Sequence, residues 1–315
     1  MMIIDQLGRT FKNLRISLID TCNFACIYCT DEDFTTHQIA KNQLSVIDLL
    51  KTVAKLKQKL DLKSVRLTGG EPLLYQDLEK VITGLVEIGI PDIKMTTNGF
   101  LLTKKAEGLK QAGLKEINIS LDAVDEASFF KITRRDKFNE VDKGIDAALN
   151  AGLKVKLNAV TMKGKNDDQI IPLLQYSKSK NLTIRFLEVM EMGHLHHQKE
   201  NFLFSEEEIL HQIAQHFEFK SLPRKASATA NYWETSCGTK FGIIANTSTP
   251  FCSDCDRLRL DHQGNIYGCL SVNEPISIHH LFTDVDLEDS LQQALEQKHS
   301  LNFTGSNLSM MEIGG

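Results

Sequence analysis

Two periodicities alternate along the first 190 residues. Short runs rich in β-branched and apolar residues recur at 14–20 (LRISLID), 64–68 (SVRLT), 93–97 (IKMTT), 116–121 (EINISL), 154–160 (KVKLNAV) and 182–190 (LTIRFLEVM). Between them, apolar residues spaced three and four apart predict helices over 44–60, 76–89, 103–112, 138–151 and 167–179. Repetition of strand then helix predicts a parallel sheet joined by right-handed crossovers. Six such units predict an α/β fold, an incomplete (β/α)6 TIM-like barrel, with function at the C-terminal ends of the strands. Beyond about residue 195 the pattern loosens. A helix is predicted over 205–217, short strand-like runs with Gly, Ser and Thr over 225–270, and another helix over 287–299. The predicted division is therefore a partial barrel over 1–195 and a C-terminal segment over 196–315 that closes it.

Chemistry-bearing residues collect where the predicted strands end. Cys22 follows the first strand, Gly69-Gly70-Glu71-Pro72 the second and Asn98-Gly99 the third. Ser120-Leu121-Asp122 ends the fourth, and Asn158 and Met190 lie on the last two. Recurrence at the same end of successive strands predicts one shared site.

Six of the seven cysteines form two sets, Cys22-x3-Cys26-x2-Cys29 and Cys252-x2-Cys255-x13-Cys269. Tight clusters and an odd total read as metal ligation, not as a disulfide framework. Three thiolates leave one corner of a four-iron cube without a protein ligand, free to bind and act on a small molecule. The spacing of the first set fits neither the usual zinc pattern nor a bacterial ferredoxin run. For the second set a structural zinc site remains open, since its spacing gives no preference between iron and zinc. Cys237 is left over and is expected to be a small buried hydrophobe. His194, His196 and His197 fall in a polar connector expected to be a solvated loop, with a metal site the less favoured alternative.

Composition adds limits. The 315 residues are 42% hydrophobic and 24% charged, ordinary for a globular protein. A net charge of -5 disfavours a general nucleic-acid binder, though a local basic pocket is compatible with it. No apolar run is long enough to span a bilayer and no signal peptide is evident, so a cytoplasmic location with reduced thiols is expected. A phosphate-binding GxxxxGK[ST] loop and a GxGxxG fingerprint are both missing, so any nucleotide must be held by side chains and iron. Arg257 and Arg259 alternate along DRLRL, so both are expected on one face of a strand. Cations recurring on alternate strand positions inside a barrel are costly unless an anion pairs with them.

CNFACIYC followed by TGGEPLL resembles the radical S-adenosylmethionine (SAM) superfamily. LRISLIDTCNFACIYC, RLTGGEPLL, TTNG, INISLDAVD, KITRRDKF, VKLNAV, RFLEVM, PFCSDCDRLRL and the terminal MMEIGG together resemble the GTP 3′,8-cyclases of molybdenum cofactor biosynthesis. The resemblance runs in order over nearly the whole chain. It implies two [4Fe-4S] clusters, on Cys22, Cys26 and Cys29 and on Cys252, Cys255 and Cys269. It implies that the first cluster cleaves SAM to a 5′-deoxyadenosyl radical and that the second binds the guanine of GTP. Abstraction of the C3′ hydrogen and attack on C8 would then give 3′,8-cyclo-GTP. The resemblance further implies SAM contacts at Tyr28, Gly69, Gly70, Ser120 and Met190. GTP contacts are implied at Arg15, Arg66, Thr97, Lys156, Arg185, Arg257, Leu258 and Arg259, and an active-site role for Gly314 and Gly315. An unidentified reductant, and cyclic pyranopterin monophosphate synthase acting downstream, are implied as partners; a homodimer stays open. Arg-x-Arg after the second CxxC and the GG ending argue against a peptide-modifying member of the superfamily. Two departures stand out: Thr30 follows the third cysteine where Met is usual, and 270–280 differs from the common pattern.

Overall fold

The computed structural model describes residues 3–31, 43–278, 284–298 and 302–314. Its six leading strands are β1 (Asn13–Ser17), β2 (Ser64–Thr68), β3 (Asp92–Thr97), β4 (Glu116–Ser120), β5 (Lys154–Thr161) and β6 (Thr183–Glu188). The crossover helices are α1 (Val46–Lys59), α2 (Leu78–Glu87), α3 (Leu102–Ala112), α4 (Glu126–Thr133), α5 (Phe138–Asn150) and α6 (Ile170–Ser179). The later strands are β7 (Phe219–Leu222), β8 (Asn231–Thr235), β9 (Lys240–Ile244), β10 (Arg257–Leu260), β11 (Asn265–Tyr267) and β12 (Ile276–Ser277). They form one sheet in the order β12-β11-β10-β1-β2-β3-β4-β5-β6-β9-β8-β7.

The six predicted strands are all present and parallel. The sheet extends beyond them. β10 adds in parallel to β1 at one edge and β9 in parallel to β6 at the other. Antiparallel strands then continue outward at both edges. Among the described residues β12 and β7 do not pair, so the sheet stays open. Strands from beyond residue 195 thus complete both flanks of the parallel sheet.

Alternation along each strand sorts side chains between two surfaces. On β5, Val155, Leu157 and Ala159 are buried in the core, whereas Lys156, Asn158 and Val160 line the concave side. Helices pack on the convex side. Ser45 caps α1 by accepting from the Asp48 N–H, and Lys57 and Lys59 complement the dipole of its last turn. Gly113, at φ 116°, ends α3 in a conformation that favours glycine. The eight-residue α4 has no counterpart among the predicted helices. Two turns give too short an apolar pattern to stand out from a loop.

Candidate functional site

A cavity of about 830 Å³ opens on the concave side of the sheet. All six clustered cysteines line it, together with side chains from every strand of the parallel series. Segments beyond residue 195, including Leu222, Ala228, Phe303 and Met311, form part of its wall.

The first cysteine set lies on the loop leaving β1. Two main-chain bonds dock this loop on the end of α4, Ala25 N–H to the Thr133 carbonyl (3.2 Å) and Ile27 N–H to Ile132 (2.9 Å). Arg135 donates through Nε to the Asn23 carbonyl at 3.0 Å, and Arg134 reaches the carbonyls of Thr30 and Asp31. KITRRDKF is therefore the clamp that shapes the cysteine loop. Thr30, buried, donates to the Cys26 carbonyl at 3.3 Å and accepts from Arg134. Burial pushes the Cys22 thiol up to about 12, and the nearby Glu71 carboxylate adds to the rise. Cys26 and Cys29 are likewise raised by burial, then by neighbouring thiolates and Asp122. Such thiols deprotonate only when a metal supplies compensating charge.

Two buried carboxyls flank this set. Glu71 accepts from Leu73 N–H (2.9 Å), Thr97 Oγ1 (2.5 Å) and Asn98 N–H (2.8 Å), yet burial still lifts it to about 7. Asp122 accepts from the Tyr28 hydroxyl (2.7 Å) and Val160 N–H (2.8 Å), and burial lifts it to about 6.

The second set sits on the loops before β10 and after β11. Arg9, paired with Asp5, donates to the Cys252 carbonyl at 2.7 Å, and Arg224 bridges Asp254 at 2.8 Å. Burial raises Cys252. Cys255 feels the same burial, but the charges of Arg257 and Lys298 overcome it and bring the thiol down to about 7.

Strand register lines up cations between the two sets. Arg259 pairs with Arg15, Arg15 with Arg66, Arg66 with Lys94, and Lys94 with Glu116. Like charges on neighbouring strands repel one another unless anions come between them. Carboxylates relieve this in part: Lys94 pairs with Asp92 at 2.7 Å and Arg257 with Asp256 at 3.8 Å. Glu116 takes both Arg66 (3.5 Å) and Lys156 (2.8 Å). Arg185 is held by the Asn158 amide oxygen at 3.0 and 2.6 Å. Among the described residues the Arg15 guanidinium makes no hydrogen bond or ion pair. Burial, then Arg259, Arg257 and Arg66, lower its affinity for its proton. Arg257 stacks over Phe251 at 5.0 Å and donates to the Ser227 carbonyl at 2.8 Å, but its Nη2 is buried without a partner. The cavity is built to receive an anion.

The other predicted residues fall as follows. Tyr28, Gly69, Gly70, Ser120, Met190 and Thr97 all line the cavity. The close approach expected of the glycines is made first to the chain itself: a Cβ on Gly70 would collide with the Thr21 carbonyl, and one on Gly69 with that of Ile19. Leu258 points into the core between Arg257 and Arg259, leaving only its main chain for a ligand. The Gly314 carbonyl accepts from Arg259, and Gly314 lies against Ser17 and Thr68 at the ends of β1 and β2. Gly315 lies outside the described residues, as do 279 and 280 of the divergent run.

Two expectations are corrected. Cys237 is exposed, because it sits in the turn between β8 and β9, which projects beyond the sheet. Hydrogen bonds from Thr235 and then Thr239 lower its thiol to about 6. The histidine connector is anchored and not simply solvated: His194 Nε2 bonds the Ile27 carbonyl (2.9 Å) and His196 Nδ1 the Asn307 amide (2.7 Å). Among the described residues no group of three His, Cys, Asp or Glu side chains is arranged to hold a single metal ion. Lys298 and Glu116 join the site without having been anticipated. Lys298 follows a helix remote in sequence, and Glu116 looked like an ordinary first residue of a strand.

A model of the radical SAM superfamily matches residues 16–176, and one described as Molybdenum Cofactor Synthesis C matches 182–303. A GTP 3′,8-cyclase of Staphylococcus epidermidis is 39% identical over 310 residues, covering 95% of this chain and 91% of that protein. A GTP 3′,8-cyclase of Staphylococcus aureus is 43% identical over 277 residues, covering 85% and 81%. Among solved structures, Streptococcus suis SuiB bound to its precursor peptide SuiA superposes with TM-score 0.68 at 16% identity, covering 93% of this chain and 68% of that one. Native anSMEcpe with bound AdoMet gives 0.63 at 14%, covering 92% and 82%. At these identities the structures speak to the fold alone. No helix among the described residues is long and apolar enough to cross a membrane.

Proposed function

The chain belongs to the GTP 3′,8-cyclase family of the radical SAM superfamily, and on that premise we propose that it converts GTP to (8S)-3′,8-cyclo-7,8-dihydroguanosine 5′-triphosphate for molybdenum cofactor synthesis. The observation that carries the reading is the row of cations strung between two three-cysteine sets on one cavity.

The donor sets fit iron–sulfur clusters. Each offers three free thiols to the cavity, and the thiols of the first set need a partner's charge to ionise. Cys22, Cys26 and Cys29 would hold the cluster that binds SAM, and Cys252, Cys255 and Cys269 a second [4Fe-4S] cluster beside the guanine. Bound there, the first cluster and SAM supply the one-electron chemistry that removes hydrogen from the ribose.

The chain's own residues bind, orient and exclude water. Asp122 and Glu71 place negative charge beside the first set, which suits the cationic sulfonium and amino group of SAM. Tyr28, Gly69, Gly70, Ser120 and Met190 would enclose that cofactor. Arg15, Arg66, Lys156, Arg185, Arg257 and Arg259 would hold the triphosphate, the guanidinium forks matching phosphate oxygens bidentately. The Thr97 hydroxyl is committed to Glu71, so its nucleotide contact would be as an acceptor. Arg259 is fixed by the Gly314 carbonyl, which restrains the side chain while leaving its charge uncancelled. Ring closure joins two parts of one GTP, so holding ribose and base in a fixed relative orientation with C3′ close to C8 would remove rotational freedom that the reaction otherwise has to lose. The wall contributed from beyond residue 195 keeps water from a reactive radical. An external reductant must supply the electrons, and cyclic pyranopterin monophosphate synthase would take the product.

The test is incubation of anaerobically reconstituted protein, carrying about eight irons and eight sulfides per chain, with SAM, dithionite and GTP. The expected outcome is 5′-deoxyadenosine together with cyclised GTP. Cleavage of SAM with no cyclised nucleotide overturns the substrate assignment.

A further inference from the structure

Lys298 follows the helix Asp284–Glu296 and ends in the cavity wall between the two loops of the second cysteine set. Its ammonium donates to the Gly268 carbonyl at 2.8 Å, next to Cys269, and lies 3.5 Å from Cys255 Sγ. Its third side faces the Phe11 ring, 5.2 Å from the centroid. Among the described residues no carboxylate lies within ion-pair reach of it. The charged side chains around it are Arg9 and Arg257, which repel it, and the thiols of Cys255 and Cys269.

The placement is built. Gly268 N–H donates to the Gln297 amide oxygen at 3.1 Å, and Gln297 Nε2 donates to the Glu274 carbonyl at 3.0 Å. A Cβ on Gly268 would collide with the Ala294 carbonyl, so the helix end is seated against the ligand loop. A buried ammonium without a counter-charge costs several kcal/mol. The anionic partner within reach is the sulfur ligand set itself.

We propose that Lys298 is a positioning residue for the second cluster: it donates an N–H···S hydrogen bond to the Cys255 ligand and raises the reduction potential of that cluster. The inference rests on the two-cluster reading above. Reduction adds negative charge to a cluster, and a cation bonded to its sulfur stabilises the reduced form more than the oxidised one. Among the described residues no lysine or arginine bonds a thiol of the first set; Cys22 Sγ is approached by the neutral Phe24 N–H at 3.4 Å and the Asn98 amide at 3.9 Å, and Cys26 by the neutral Tyr28 hydroxyl.

The test is an anaerobic redox titration of the holoenzyme, each cluster followed by its own electron paramagnetic resonance signal, with iron and sulfide counted. In Lys298→Met the second cluster's midpoint is expected to move to a more negative value while the first stays put. An unmoved midpoint with full iron content overturns the proposal. So does weaker GTP binding with an unmoved midpoint, which would make Lys298 a phosphate contact. Should Lys298→Met lose the second cluster, Lys298→Gln decides: a midpoint below wild type supports the role and a wild-type midpoint overturns it. Iron at the first set alone in the wild-type protein would remove the two-cluster reading and this inference with it.

Discussion

The two cysteine sets share one cavity and the same number of thiols, yet they stand in opposite electrostatic company. Around the first, Glu71 and Asp122 add to burial in raising the thiols, Cys22 to about 12. Around the second, Arg257 and Lys298 outweigh burial and bring Cys255 to about 7. Three thiolates in a loop do not determine what they will accept as a fourth partner. The neighbours that the sheet delivers decide it: carboxyls where a cationic cofactor is expected, guanidiniums where a polyanion is.

The severest way to break this contrast is to remove one ligand from each set. Cys22→Ser is expected to abolish 5′-deoxyadenosine formation, whereas Cys252→Ser should still cleave SAM but yield no cyclised GTP. Equal damage to SAM cleavage by both would erase the division of labour.

A second test uses acidity. Burial raises Glu71 from its ordinary 4.5 to about 7, so the folded chain binds this proton more tightly than the unfolded chain. Its contribution to stability is fully present below about pH 4.5 and is lost as pH rises through about 7, a change of about 3 kcal/mol. Glu71→Gln should therefore flatten the fall in Tm of the cluster-free protein between about pH 5 and pH 8. An unaltered slope would show that the carboxyl ionises normally.

Arg257→Ala probes the cationic side. Loss of a charge-assisted contact of about 1.5–3 kcal/mol predicts GTP binding weaker by roughly 10- to 150-fold. SAM cleavage should persist, and unchanged affinity in equilibrium binding would remove Arg257 from the phosphate site. The smallest effect is one of order. In cluster-free protein near about pH 7.5, iodoacetamide should modify Cys237 first, then Cys255, and Cys22 last. Mass spectrometry showing Cys22 ahead of Cys255 would contradict the contrast in thiol acidity.

Much of this was legible along the chain. Strand runs at 64–68 and 116–121 carry their own period, so the core of the parallel sheet declared itself. That Arg257 and Arg259 lie on the cavity face of one strand followed from alternation in DRLRL. α4 was missed because two turns leave little pattern, and KITRRDKF gave no hint that it clamps the first cysteine loop. Cys237 was misjudged because residue type alone cannot say that a turn will carry it out of the sheet.

The sequence by itself determined the strands, the crossovers and both thiol sets, because these rest on local periods and short spacings. Only the tertiary structure decided that β10 joins β1 and β9 joins β6, since pairing depends on contacts between segments some 240 and 55 residues apart. That pairing brings Arg259 beside Arg15 and carries the second cysteine set to the end of β1 opposite the one that leads into the first set. Lys298 depends on it too: a lysine just past the end of a helix comes within 3.5 Å of a cysteine sulfur only because packing seats it between the loops of the second set, where among the described residues no carboxylate pairs with it.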